Sequence, residues 1–503
     1  MGNLYLTYRQ GFPKDLDRPF IENTDGTIIS YKELDEQSAK YANGFLQLGL
    51  VPGDRVSVQV HKSPEVIFIY LACLRSNLIF HPINTAYKES ELTFFLNDAK
   101  PSVFICEKNI FENISSLNLT QQPEYVFTLI SEHQNSIQTI KEGGAHKVSD
   151  CASEHTACLL YSSGTTGKPK GIMLSHGNIG SNTSVLKEVW GFDENDCLLH
   201  SLPIYHVHGL FVALGCTLLS GSKLLWTDSF QANQAIQLLP KCTVMMGVPT
   251  YYTRLLSEEN LDKKVVENIR LFISGSAPLL EETFSQFHER TGAFILERYG
   301  MTETNIISSN PLNDYRKSGT VGKSLPGQDL RIVDDESKEL DIEEIGNIQV
   351  KGTNVFTGYW NLPEKTEEDF TEDGFFNTGD MGYLDTDGYL TIVGRTKDMI
   401  ISGGLNVYPK EIESIIDDLD EVEESAVIGI KDDDLGEKVV AIVVKKSESD
   451  LSENELISLL KGNIAGFKVP KEIFFLHELP RNAMGKVQKN MLREQFKKLF
   501  EIS

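Results

Sequence analysis

Layered α/β architecture with parallel sheets is the fold class this sequence predicts, and three observations predict it. Short β-branched or apolar runs alternate with amphipathic stretches through most of the chain, the pattern of β-α layering. Beyond about Gly322 the texture turns to short strand-like pieces broken by glycines and acidic turns, which predicts a small β-rich subdomain. The last stretch, about a hundred residues, alternates helix and strand signals as a compact α+β unit. With 503 residues the chain can bury several cores, and roughly two to four domains are expected.

In chain order, the apolar runs are 55–60, 66–75, 102–106, 157–161, 243–248 and 271–274. Several end in loops rich in Gly, Ser, Thr and Pro. Ligands of open α/β sheets sit beyond the carboxyl ends of the strands, so those loops are where chemistry is sought. Strand-like pieces of the β-rich part are 346–350, 374–376 and 388–394. The tail predicts a helix at 410–419, strands at 425–430 and 438–444, a helix at 453–464, a strand at 472–476 and a basic final helix. Pattern places a boundary near 394–398. The longest apolar stretches, 66–74 and 210–219, fall short of the roughly 20 residues that span a bilayer and read as buried core.

Composition narrows the function classes. The 47 basic and 72 acidic residues give a net charge of -25, which opposes broad attraction to nucleic acid or anionic membrane. Seven cysteines without a C-x-x-C pair read as reduced thiols. The first residues lack signal- or transit-peptide character, so a cytoplasmic location is expected. Small-molecule partners are expected, and oligomeric state stays open between monomer and homo-oligomer.

The sharpest local signal is Tyr161-Ser162-Ser163-Gly164-Thr165-Thr166-Gly167-Lys168-Pro169-Lys170-Gly171, which follows the apolar run 157–161. Glycines let backbone N–H groups approach an anion, hydroxyls add donors and lysines add charge, so the loop is built for phosphate. It is not a Walker A loop: Ser162 stands where the first glycine belongs and Pro169 where Ser or Thr should follow the lysine.

This loop resembles the phosphate-binding motif of the adenylate-forming superfamily, which includes acyl-CoA synthetases, luciferases and peptide-synthetase adenylation domains. Further motifs of that superfamily follow in order: Leu296-Glu297-Arg298-Tyr299-Gly300-Met301-Thr302-Glu303-Thr304, Asn377-Thr378-Gly379-Asp380, Gly394-Arg395-Thr396-Lys397-Asp398 and Pro480-Arg481-Asn482-Ala483-Met484-Gly485-Lys486. The resemblance implies a large N-terminal region of two layered α/β subdomains plus a small β-rich subdomain (1–394), followed by a mobile α+β C-terminal domain (395–503). It also implies ATP, Mg2+ and coenzyme A.

Roles follow from the resemblance and from the chemistry of anions meeting anions, where cations must neutralise both substrates and the departing pyrophosphate. Glu303, with Thr165, is expected to hold the magnesium. Ser162, Ser163, Gly164, Thr165, Thr166, Gly167, Lys168 and Lys170 are expected on the phosphates. Glu297, Arg298, Tyr299, Gly300 and Thr302 are expected around the nucleotide, with Ser276, Ala277 and Pro278 along the adenine edge. Asp380, acceptor-only when ionised, suits the two ribose hydroxyls, and Arg395 adds a second contact. Lys486 resembles the catalytic lysine of the superfamily, delivered by rotation of the tail about Lys397; a second rotation would present the loop Ser402-Gly403-Gly404 to the pantetheine arm.

The acid pocket should come from Leu202-Pro203-Ile204-Tyr205-His206-Val207-His208-Gly209-Leu210 and Gly247-Val248-Pro249-Thr250-Tyr251-Tyr252-Thr253-Arg254. His206 matches the gate residue of acyl-CoA synthetases and, with Thr302 and Lys486, is expected in the catalytic set. No aspartate stands where amino-acid-activating relatives hold an ammonium. Arg254 is the discriminating residue, since a second substrate carboxylate would pair with it bidentately; Arg270 is a weaker second candidate. The words around them resemble malonyl-CoA synthetases, so malonate, with methylmalonate beside it, is the implied acid. The alternatives are a ligase for a short monocarboxylate and, in another class, a non-catalytic acyl-adenylate sensor.

Overall fold

The computed structural model describes residues 2–129, 136–162, 169–402, 405–432, 435–447, 449–482 and 486–501. Among these residues the strands form four sheets. The largest has nine strands, in the order Lys323–Ser324, Asn305–Ser309, Ile295–Met301, Leu271–Ser274, Val244–Gly247, Cys197–His200, Lys223–Trp226, Pro19–Asn23 and Ile28–Ser30. Its centre is parallel, and its edges are closed by antiparallel pairs. A seven-stranded sheet runs Gly358–Tyr359, Lys170–Ser175, Thr156–Ser162, Ile79–Pro82, Arg55–Gln59, Val103–Cys106, Tyr125–Thr128. The expected layering is thus present, with mixed rather than purely parallel sheets.

Between the two large sheets lies a layer of helices. Pro64–Arg75 is a helix, although its apolar run was grouped with the strand-like segments. Pro64 opens its first turn, and every residue from Val66 to Arg75 is buried, so the helix is apolar all round because protein surrounds it all round. The same holds for the run 210–219, which continues from a π-helical turn, His208–Ala213, into the helix Leu214–Ser220. A single apolar cluster, including Phe68, Leu71, Ile179, Leu214 and Val244, ties both sheets to this layer. Each such side chain contributes on the order of 1.5–3 kcal/mol by leaving water.

The β-rich part is a four-stranded antiparallel sheet, Gln328–Val333, Gly346–Gly352, Phe376–Leu384 and Leu390–Arg395. A short turn, Thr396–Asp398, leads into the last sheet, built from Leu405–Val407, Ile400–Ser402, Gly436–Lys445 and Val422–Asp432, with Glu472–Leu476 beside Gly436–Lys445. The helices Pro409–Asp417, Glu453–Asn463 and Lys489–Glu501 complete that part, all within a few residues of the positions the pattern predicts. Its apolar clusters contain only residues from Ile400 onward.

Candidate active site

Four neighbouring parallel strands, Cys197–His200, Val244–Gly247, Leu271–Ser274 and Ile295–Met301, release their chains on the same side of the large sheet. The segments that follow carry His206 and His208, Tyr251, Ser276, and the turn Thr302–Glu303. The phosphate-type loop joins two antiparallel strands, with Ser162 opposite Lys170; Ser163, Gly164, Thr165, Thr166, Gly167 and Lys168 lie outside the described residues. Lys170 sits 3.6 Å from Asp369 and over the ring of Tyr359 at 4.0 Å.

One group of residues assembles around Asp380. Its carboxylate accepts from the Tyr299 hydroxyl at 2.5 Å and pairs with Arg395 Nε at 2.9 Å across adjacent strands. Burial works against the charge of Arg395, but Asp380, Tyr299 and Glu303 outweigh it and raise its pKa. Burial, then Asp380, holds the Tyr299 phenol well above its usual range. Glu303 is buried, which raises its carboxyl pKa, while the charges of Lys170 and Arg395 pull the other way.

Lys486 reaches this group from the tail. The residue keeps solvent exposure along its length, yet its ammonium is crowded: desolvation and then Arg395 lower its pKa, opposed by Asp380, Asp398 and Glu303. A lysine over a hundred residues downstream of Asp380 is therefore brought beside Asp380, Arg395 and Glu303. Lys397 lies in the turn Thr396–Asp398 and shares this crowd of cations. Burial, with Arg395, Lys486 and Arg493 nearby, lowers its pKa to about 8. Ser402 is buried at the end of the strand Ile400–Ser402, and Gly403 and Gly404 lie outside the described residues.

Magnesium fits this donor set in one way. Among the described residues no group of three or more His, Cys, Asp or Glu side chains is arranged to hold a metal. Magnesium keeps several waters and is commonly held by one or two carboxylates plus substrate phosphates, and buried Glu303 is the carboxylate placed for that.

The acid side holds the main surprise. Arg298, expected on the nucleotide, packs its guanidinium against Gly275. It is 4% exposed, and neither Nε nor Nη2 has a hydrogen-bond partner among the described residues. Burial lowers its pKa to about 10. Gly275 makes room for it, since a Cβ there would stand 2.5 Å from the guanidinium carbon. His208 is near enough to feel the Arg298 charge. A buried cation without a counter-ion is costly, which marks the place where an anion belongs. Motif membership hid this role, because Arg298 sits within the second signature; the neighbouring Gly275 was the signal that could have found it.

Arg254, expected to read the acid, is exposed on the helix Pro249–Leu256. Its charge reaches the Tyr251 phenol, which burial and Tyr205 raise to about 12. Tyr251 stacks on Phe230 with ring centroids 3.8 Å apart. Arg254 thus faces solvent and Arg298 lies in the interior. Arg270 is a correction: it lies just before the strand Leu271–Ser274, at the end of the sheet away from the site, where Asp196 takes it bidentately at 2.6 and 2.8 Å and the carbonyls of Trp190 and Gly191 take two more of its donors. An arginine held at that end of the sheet does not reach the acid pocket.

His206 lines a narrow cavity with His81, Asn84, Tyr87 and Tyr205; burial lowers its pKa to about 4, so the ring is neutral. The Glu297 carboxylate, expected around the nucleotide, accepts the Leu279 N–H at 3.1 Å and so braces the loop carrying Ser276, Ala277 and Pro278. Gly300 is required by close approach of the chain: a Cβ would stand 1.9 Å from the Asn305 carbonyl oxygen. Thr302 is half-buried in the turn before Glu303.

Burial raises the Glu297 carboxyl to about 8, with Lys410 opposing. A carboxyl raised on folding stabilises the protein fully below its unfolded value near 4.5, and that contribution is lost as pH rises through about 8. Glu297→Gln is expected to lose less thermal stability than the wild type between pH 5 and pH 8, measured as the melting temperature at each pH. Equal losses in both proteins would show that this carboxyl does not titrate in that interval.

Comparison with known proteins gives a consistent picture. The family described as AMP-binding enzyme matches residues 10–360, and the AMP-binding enzyme C-terminal domain matches residues 411–486. A malonate–CoA ligase of Arabidopsis thaliana is 34% identical, covering 98% of this chain and 89% of that protein. A long-chain-fatty-acid–CoA ligase of Bacillus subtilis is 32% identical, covering 93% of this chain and 90% of that protein. Among solved structures, ATP-bound MatB from Rhodopseudomonas palustris superposes with a TM-score of 0.94 at 44% identity, covering 99% of this chain and all of that one.

Proposed function

The chain belongs to the AMP-binding enzyme family and is an acid–thiol ligase of the AMP-forming kind, using ATP and CoA, and from that premise we propose that its acid is malonate. The observation that carries the reading is the buried Arg298 guanidinium, with two nitrogens unpaired among the described residues, against Gly275 and near His208. A three-carbon diacid offers one carboxylate for attack and a second for that cation. The malonate–CoA ligases of Arabidopsis thaliana and mouse, 34% and 32% identical, support the same choice.

In the reaction we propose, one carboxylate oxygen of malonate attacks the α-phosphorus of ATP, the bond to the bridging oxygen breaks, and pyrophosphate leaves with that electron pair. Lys486, beside Asp380 and Glu303, offers a compact ammonium to the charge shared between carboxylate and α-phosphate. Asp380 and Arg395 hold the ribose, and Tyr299 fixes Asp380. Glu303 would hold Mg2+, which neutralises phosphate charge when bound. Thr302 flanks the α-phosphate, and the loop 163–168 takes the remaining phosphates.

The malonyl-adenylate is then attacked at its carbonyl by the CoA thiol, which loses its proton to solvent as AMP departs. For this step the unit beyond the turn Thr396–Asp398 turns at Lys397, withdrawing Lys486 and bringing the Ser402-Gly403-Gly404 segment to the pantetheine. The neutral ring of His206 borders the acyl group without competing for its charge. Arg254, facing solvent, attracts the diacid, and methylmalonate is the expected second substrate.

CoA-dependent AMP release across malonate, methylmalonate, succinate, acetate and propionate tests this. Malonate is expected to have the highest kcat/KM, with acetate and propionate far behind. Should acetate or propionate lead, the ligase stands and the diacid assignment falls.

A further inference from the structure

A lysine that takes no part in the proposed chemistry joins the two large sheets. Lys62 follows the strand Arg55–Gln59 of the seven-stranded sheet, yet its Nζ donates to main-chain carbonyls of the nine-stranded sheet, His200 at 2.7 Å and Thr227 at 2.6 Å. It also rests 3.9 Å from the centre of the Trp226 ring. His200 and Trp226 are register partners at the carboxyl ends of neighbouring parallel strands, so the amine sits where that ladder ends. Burial lowers its pKa well below the usual lysine range, with the Asp228 charge opposing. A lysine keeps at least two N–H donors whether charged or neutral, so both bonds persist in either state. Desolvating an ammonium against carbonyls is a costly way to join two sheets, which calls for a reason beyond cohesion.

What Lys62 holds is the root of the segment 201–209. The His200 ring stacks on Trp226 with centroids 5.0 Å apart, and its Nε2 donates to the Gly209 carbonyl at 3.0 Å. The far end of the segment thus returns to the residue that Lys62 clasps, and His206 lies between the two anchors. Thr227, the other partner, opens the stretch leading to Phe230, whose ring stacks on Tyr251. One amine therefore fixes the roots of both stretches. Resting on the placement of the acid proposed above, though not on its identity, we propose that Lys62 is a positioning residue for adenylation: through the main chain it sets the stance of His206 and of the Phe230–Tyr251 stack without touching the substrate. A buried carbonyl stripped of its donor must find water or another partner, and the stretch it heads then shifts. Small shifts suffice to misplace an acid whose carboxylate must meet the α-phosphate in line.

The test measures kcat, the KM of the acid, the KM of ATP and the melting temperature in Lys62→Met, which keeps the length and removes the donors, in Lys62→Gln, which retains one N–H group at shorter reach, and in Lys62→Arg. Lys62→Met is expected to raise the KM of the acid roughly 10- to 100-fold, the worth of leaving buried carbonyls unpaired. The KM of ATP should stay within about threefold, because the nucleotide is held elsewhere. Lys62→Arg, whose guanidinium can serve two carbonyls, should recover most of the loss, and Lys62→Gln should fall between. If Lys62→Met does not fold, Lys62→Gln gives the same reading with a smaller shift. An unchanged KM for the acid overturns the proposal, and so does a parallel fall in both KM values and the melting temperature, which assigns the lysine to cohesion alone. The acid used is the one the wild type turns over best, so failure of the malonate reading shows in the wild type and failure of the Lys62 role only in the variants.

Discussion

Arg298→Met is expected to lower the malonate-to-propionate selectivity by a factor on the order of 10⁴, because a site built around a buried polar group rejects ligands that leave it unpaired by about that much. The argument is one of counter-ions. Arg298 is buried with Nε and Nη2 free, and its pKa is already pulled down to about 10. In the free enzyme the guanidinium carries a desolvation cost that no carboxylate among the described residues offsets at those nitrogens. Malonate supplies the missing charge; methionine removes both the cost and the reason to prefer a diacid. The same substitution should leave the folded protein as stable as before or more so, since replacing an uncompensated buried charge by an apolar side chain of similar length is commonly neutral or stabilising. Paired kcat/KM values and melting temperatures check both halves. Selectivity retained within tenfold would mean that Arg254 or another group reads the acid.

Lys486→Ala is expected to slow ATP–pyrophosphate exchange by roughly 10²–10³-fold, the usual cost of removing one group that meets developing charge. The lysine stands in the field of Asp380, Arg395 and Glu303, the residues proposed above for ribose and metal. Its loss should bear much less on the second half-reaction, measured by supplying malonyl-adenylate and CoA. Equal losses in both half-reactions would assign Lys486 a role beyond adenylation. A drop of less than threefold in exchange would remove it from the catalytic set.

Much of this architecture was legible because strand periodicity and turn residues are local. The tail is the clearest case: alternating β-branched runs and a capping box at Ser452 and Glu455 specify strands and helices without help from distant contacts. The helix Pro64–Arg75 was not legible as a helix, since a run apolar on every face has no amphipathic period; only the sheets packed on both sides explain it. In the site, Asp380, Arg395, Glu303 and Lys486 were found through motifs that also bring them together in space. Arg254, Arg270 and Arg298 illustrate the opposite. Sequence alone could not tell which of the three faces solvent, which is held by Asp196 and which is buried with donors unpaired among the described residues, because such differences arise from distant partners; Asp196 lies 74 residues from Arg270.

The separate apolar clusters of the tail carry a thermodynamic consequence. Residues from Ile400 onward bury their own side chains against one another, and a link to the large part is an ion pair between Lys446 and Glu282 at 3.8 Å, a type of contact worth about 1 kcal/mol or less. Cooperativity requires shared burial, and these clusters share no residue with the main cluster of the large part, so unfolding in more than one step is expected and a single unfolding free energy would not describe it. In the reaction proposed above, that partition would let the tail swing without melting: the turn Thr396–Asp398 would change its angles while each core stays closed, and the work of moving would be confined to breaking weak polar contacts and rehydrating a few charges.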